Sequence, residues 1–132
     1  MFENYTLKLV KSGRALFSSD KSGLRPLAEC INKMKGRVHG CALYDKVIGL
    51  AAAKLIVYGG FVSEVKAQVM SGKAKEYLEN QGIKASAEQI VSRILNKSRT
   101  GQCPMEERCT DLEPEECYNA AKCRYILSQQ SL

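Results

Sequence analysis

The strongest constraint on this chain is its alternation of two hydrophobic periods, punctuated by glycine. Segments with every second residue apolar trade places with segments whose apolar residues recur every three or four positions. Period two is the mark of a strand and period 3.6 that of a helix. A chain that alternates between them builds a sheet covered by helices.

Residues 4–10 alternate, with Tyr5, Leu7 and Leu9 on one side, and 14–18 form a second short run. Lys11-Ser12-Gly13 between them is a tight-turn signal, so the two runs make a β-hairpin. Ser22 reads as a helix N-cap, and Pro26 sits in the first turn, where its missing N–H costs little. That helix runs to about Met34 and ends before Gly36, with Leu27, Ile31 and Met34 on its buried stripe and Cys30 beside it. Residues 38–44 are short and apolar, as in a central strand. Asp45 then reads as the cap of a helix over 46–58. This helix is apolar almost all round and stops at Gly59-Gly60, so it is covered on more than one side.

Residues 62–70 alternate again, with Val65, Ala67 and Val69 inward. Ser71 caps a helix that ends at Gly82. A short strand over 83–85 leads into Ser86-Ala87-Glu88-Gln89, a capping-box pattern that opens a helix with Ile90, Val91, Ile94 and Leu95 on its stripe. A polar loop covers 96–104, and a last helix follows Pro114. The expected fold class is therefore α/β: a three-layer α/β/α sandwich on a mixed sheet of about five strands. The 132 residues suit one domain, with the loop and helices of 96–132 packed on it.

Composition narrows the function classes. At 45% hydrophobic and 26% charged, the chain is neither disordered nor membrane-spanning. Its first residues, MFENYTLKLV, lack the basic and apolar regions of a secretion signal, which predicts a cytoplasmic protein. The six cysteines are then expected as free thiols or a metal site rather than bridges. Cys30 and Cys41 fall in expected core elements. Cys103, Cys109, Cys117 and Cys123 are spaced too widely for a common zinc knuckle. No metal or other cofactor is implied. The only histidine, His39, falls in an expected buried strand, either as a backbone-bonded core residue or as a general base.

The net charge of +6 is uneven: residues 1–75 carry +8 and residues 76–132 carry −2. A basic half can attract nucleic acid, anionic lipid or a phosphorylated metabolite. The lysines are scattered singly, there is no tryptophan, and phenylalanine is scarce, which points away from nucleic acid.

Consecutive right-handed crossovers open their helix starts at the carboxyl edge of the sheet, where ligands of open α/β folds bind. Two starts converge there, Ser18 to Arg25 and Tyr44-Asp45-Lys46. Their free N–H groups and cations suit a polar or anionic small molecule, nucleotide-like or phosphorylated. Ser22, Gly23, Arg25 and Lys46 would bind it, and Asp45 would orient it or move a proton. Cys103 follows Lys97 and Arg99, cations that favour a thiolate, and Glu106 could act as acid or base beside it. These two residues would arrive on a loop that closes the site. The alternatives are a thiol-dependent enzyme using Cys103 and a non-catalytic interaction protein that dimerises through helix 46–58.

Ser22-Gly23-Leu24-Arg25-Pro26-Leu27, Asp45-Lys46-Val47-Ile48-Gly49-Leu50-Ala51-Ala52-Ala53 and Thr100-Gly101-Gln102-Cys103-Pro104-Met105-Glu106 resemble the signature segments of a small bacterial family catalogued as a domain of unknown function. The resemblance covers roughly residues 5–120. It implies a fold similar to that of cytidine deaminase and brings no reaction with it. Zinc deaminases use an H-x-E or C-x-E helix start followed by P-C-x-x-C. The corresponding starts here hold neither, so zinc-dependent deamination is set aside.

Overall fold

The computed structural model describes residues 5–21, 23–92, 109 and 111–124. Its elements are β1 (Leu7–Lys11), β2 (Arg14–Ser19), α1 (Arg25–Met34), β3 (Cys41–Ile48), α2 (Leu50–Gly59), β4 (Val62–Ser71), α3 (Gly72–Asn80), β5 (Lys84–Val91) and α4 (Pro114–Lys122). The five strands form one mixed sheet in the order β2-β1-β3-β4-β5. β1 is antiparallel to both its neighbours, whereas β3, β4 and β5 are parallel. Hence β2, β3, β4 and β5 end on the same edge. The starts of α1, α2 and α3 follow those ends.

The local reasons are mostly visible in the residues. Ser12 and Gly13 both take positive φ, 52° and 77°, which matches the twist of the hairpin they join. Ser71 accepts from the Ala74 N–H at 3.2 Å and caps α3. Gly82, at φ 79°, lies just past that helix. α4 begins with Pro114 and closes a capping box between Glu113 and Glu116.

Two parallel crossovers step in the same direction, so right-handed α2 and α3 lie on one face of the sheet. α2 packs between α1 and α3, and α4 lies over α2 and α1. Leu7, Leu9, Leu43, Val65 and Leu55 are fully buried in the core between sheet and helices. The opposite sheet face carries Lys8, Val10, Ala42, Tyr44, Lys46 and Lys66, all half-buried. Among the described residues no helix covers it, and the second helical layer expected of a three-layer sandwich is not found among them.

Three expectations are corrected. Asp45 and Lys46 do not start a helix. They continue β3, with Leu7 opposite Asp45 on one side and Ala67 on the other. α2 starts after Gly49, whose extended backbone makes it the N-cap. Residues 86–91 are strand rather than helix, because pairing with β4 from Lys84 to Val91 outweighs a local capping pattern. His39 lies before β3 and is exposed.

The C-terminal segment is fastened to α2. Lys54 is buried, and its Nζ donates to the backbone oxygens of Cys109 and Leu112, each at 2.6 Å. Cys109 and Cys117 form a disulfide, which overturns the expectation of free thiols at these two positions. Tyr58 and Tyr118 stack with ring centroids 4.7 Å apart. These contacts explain why α2 is apolar all round. Ala51, Ala52, Ala53, Leu55 and Ile56 are buried within the chain, and Leu50, Val57 and Tyr58 are half-buried.

Candidate functional site

The carboxyl edge is built from β2, β3 and β4 and the helix starts that follow them. At the end of β2 the Thr6 hydroxyl lies between the backbone oxygens of Ser19 and Lys21, anchoring the loop that leads to α1. Lys21 pairs with Glu29 of α1 at 3.2 Å, so this cation already has a carboxylate. Gly23 is exposed and takes φ 72°, a left-handed conformation that L side chains rarely adopt. The glycine therefore has a backbone role in turning the chain into α1. Arg25 opens the helix and is half-buried.

Asp45 is the unusual group. It sits in β3 on the helix-facing side, in register with Leu7 and Ala67, and is buried. Burial pushes its carboxyl well above the usual carboxylate range, because the charged form loses its water. The backbone N–H groups of Val47 and Lys46 act in the opposite direction and are outweighed. Cys30 and Cys41 share this part of the core. Burial, reinforced by the neighbouring Cys41 and Asp45, raises the Cys30 thiol to about 12. Both thiols are thereby held in the neutral, unreactive form.

Successive strand residues point to opposite faces, so Lys46 leaves the sheet on the side away from Asp45. The structure thus separates two residues that the sequence placed in one site. Asp45 stays on the side of α1, Arg25 and Gly23, and Lys46 joins the open face. Ser22, Cys103 and Glu106 lie outside the described residues. No group of three or more His, Cys, Asp or Glu side chains that could hold a metal occurs among the described residues.

Sequence reasoning missed the lysine cluster of the open face. The signal was present as the even-numbered residues of the strand now seen to run from Cys41 to Ile48.

The family model described as TM1506, a domain of unknown function (DUF1893), matches residues 1–122. The chain belongs to the DUF1893 family. The crystal structure of a DUF1893 family protein (TM1506) from Thermotoga maritima is similar, with a TM-score of 0.83 and 27% sequence identity over 94% of this chain and 84% of that one. No curated protein matches the chain. Membership of DUF1893 agrees with the resemblance read from the three sequence segments and assigns no reaction.

Proposed function

We propose that this DUF1893 protein binds a polar or anionic small molecule, nucleotide-like or phosphorylated, at the carboxyl edge of its sheet. The observation that carries the proposal is Asp45. A carboxyl group buried beneath helix starts and driven toward its neutral form is the kind of perturbed group that marks ligand sites. Such a group donates a hydrogen bond to a ligand oxygen that an ionised carboxylate would repel. Arg25, at the first turn of α1 on the same side of the sheet, supplies the charge for an anionic part. Gly23 shapes the turn between them. Ser22, Cys103 and Glu106 complete the proposed set and are to be tested by substitution. Lys46 is dropped from it.

The fold we propose is the deaminase-like one, used without its zinc chemistry. A single antiparallel strand in an otherwise parallel sheet, with two consecutive crossovers, supports that reading. The starts of α1 and α2 carry no H-x-E and no P-C-x-x-C.

A thermal-shift panel of inorganic phosphate, nucleotides and amino-acid metabolites tests the binding. A ligand at 100 times its Kd adds about 2.7 kcal/mol of stability. The expected result is a stabilising member whose effect is lost in Arg25→Ala and in Asp45→Ala, which has no side-chain donor. A panel with no stabilising member, or an effect that both variants retain, overturns the proposal.

A further inference from the structure

The open face of the sheet carries a second feature, independent of the carboxyl edge. Five residues from five strands fall in one cross-strand row: Ser18, Lys8, Tyr44, Lys66 and Ser86. Lys8 and Lys66 flank Tyr44 directly, on the strands either side of it. Their backbones are about 10 Å apart, two strand spacings. Lys46 lies two residues along β3 from Tyr44, on the same face. The Lys66 Nζ sits 5.9 Å from the centre of the Tyr44 ring. Lys8 and Lys66 thus stand on the strands either side of Tyr44 and Lys46 follows it along β3, while the Lys8 Nζ lies 5.1 Å from the centre of the Tyr5 ring.

No carboxylate stands opposite any of them. Lys8 faces Ser18 and Tyr44, and Lys66 faces Tyr44 and Ser86. The register of β3 and β4 sets Lys46 opposite Gln68. Among the described strand residues of this face two are acidic: Glu64, two residues along β4 from Lys66 and paired with Lys84, and Glu88, beside Gln68. Lys8, Lys46 and Lys66 have no ion pair among the described residues. Like charges repel across adjacent strands, so the arrangement costs stability unless an anion compensates it.

We infer that this face binds single-stranded nucleic acid, with Lys8, Lys46 and Lys66 on the phosphates and Tyr44 stacking a base. A basic surface with an aromatic ring between its cations is the chemistry that holds an unpaired strand. A duplex hides its bases and gives the ring nothing to stack on. A lipid surface is a poorer fit, because Ser18, Ser86 and Gln68 stand opposite the lysines and the apolar residues of this face nearest them, Val10 and Ala42, are small or medium-sized and half-buried. The lysines are far apart in the chain, which is why their order along it conceals the cluster.

The test is fluorescence anisotropy with a labelled 12-nucleotide oligouridine. Each phosphate contact to a single strand contributes about 0.7 to the salt slope, so three give a slope of log K against log salt of about −2. The triple variant Lys8→Ala/Lys46→Ala/Lys66→Ala is expected to lose this binding. A charge-matched variant, Lys33→Ala/Lys35→Ala/Lys73→Ala, removes three cations from the helical side and is expected to keep it. Tyr44→Ala weakens binding roughly tenfold and Tyr44→Phe leaves it intact. Should the triple variant fail to fold by circular dichroism, the two Tyr44 variants decide the matter. Absence of salt-dependent binding, equal loss in both triple variants, or binding to phosphatidylserine vesicles but not to the oligonucleotide overturns the inference. Arg25→Ala, which is expected to abolish binding at the carboxyl edge, leaves oligonucleotide binding unchanged, which separates this outcome from the fate of the carboxyl-edge proposal.

Discussion

Replacing Asp45 by Asn tests the buried carboxyl directly. Asn has the shape of the protonated acid and cannot ionise. The ordinary carboxyl titrates at 3.8, and in the folded protein burial holds Asp45 well above that value. Between the two values the folded state keeps a proton that the unfolded state has released. Stability then falls as pH rises through that window, by about 1.4 kcal/mol per pH unit while the difference is one proton. Above the folded value the loss is complete and the curve levels. Asp45→Asn lacks this slope. The assay is urea denaturation of both proteins from pH 5 to pH 8 in half-unit steps. Subtracting one curve from the other cancels the titrations they share. The variant's stability relative to the native protein is expected to rise with pH by that slope, then flatten at the folded value. In thermal melts the same slope is roughly 5 °C per unit. A difference that is constant with pH refutes the argument, since the carboxyl would then titrate alike in both states.

Other predictions concern the fastening of the C-terminal segment and the packing of α2. Opening the Cys109–Cys117 bridge with Cys109→Ser/Cys117→Ser releases a loop of eight-residue separation, and chain entropy puts the loss at about 2.5 kcal/mol, read as a lower urea midpoint. Lys54→Met leaves the backbone oxygens of Cys109 and Leu112 without their donor and is expected to cost about 2–3 kcal/mol, with faster amide exchange across α4 than across β3. Gly59→Ala sets a methyl 2.9 Å from the ring of buried Phe61 and is expected to destabilise by about 1–3 kcal/mol; a variant as stable as the native protein would show that the ring can move.

Much of the fold was legible because local chemistry and tertiary packing agree. The hairpin turn at Ser12-Gly13, the Ser71 cap and the Pro114 helix start each lie where their residues point. The failures share one cause. Asp45 and Ser86-Ala87-Glu88-Gln89 look like helix caps locally, yet both lie in strands whose pairing settles the matter. In β3 the strand period continues through them: Cys41, Leu43 and Asp45 are buried, whereas Ala42, Tyr44 and Lys46 are half-buried. A carboxyl in the inward register reads as a break in a strand, and here it is a buried member of one.

The same shift of β3 divided the candidate site. With Asp45 as a cap, Lys46 would project beside it. With Asp45 in a strand, Lys46 turns to the other face and meets Lys8 and Lys66. The disulfide was illegible for a different reason. Spacing in a chain of six cysteines does not fix which two meet, and the segment around Cys109 is positioned by Lys54, more than fifty residues away.

The measurement closest to the central claim is amide chemical-shift mapping on the isotope-labelled protein during titration with inorganic phosphate and with a nucleoside monophosphate. Binding at the carboxyl edge predicts saturable shifts at Gly23, Arg25, Gly49 and Leu50, abolished in Arg25→Ala. Shifts confined to Lys8, Tyr44 and Lys66, or no saturable shift with either probe, would contradict it.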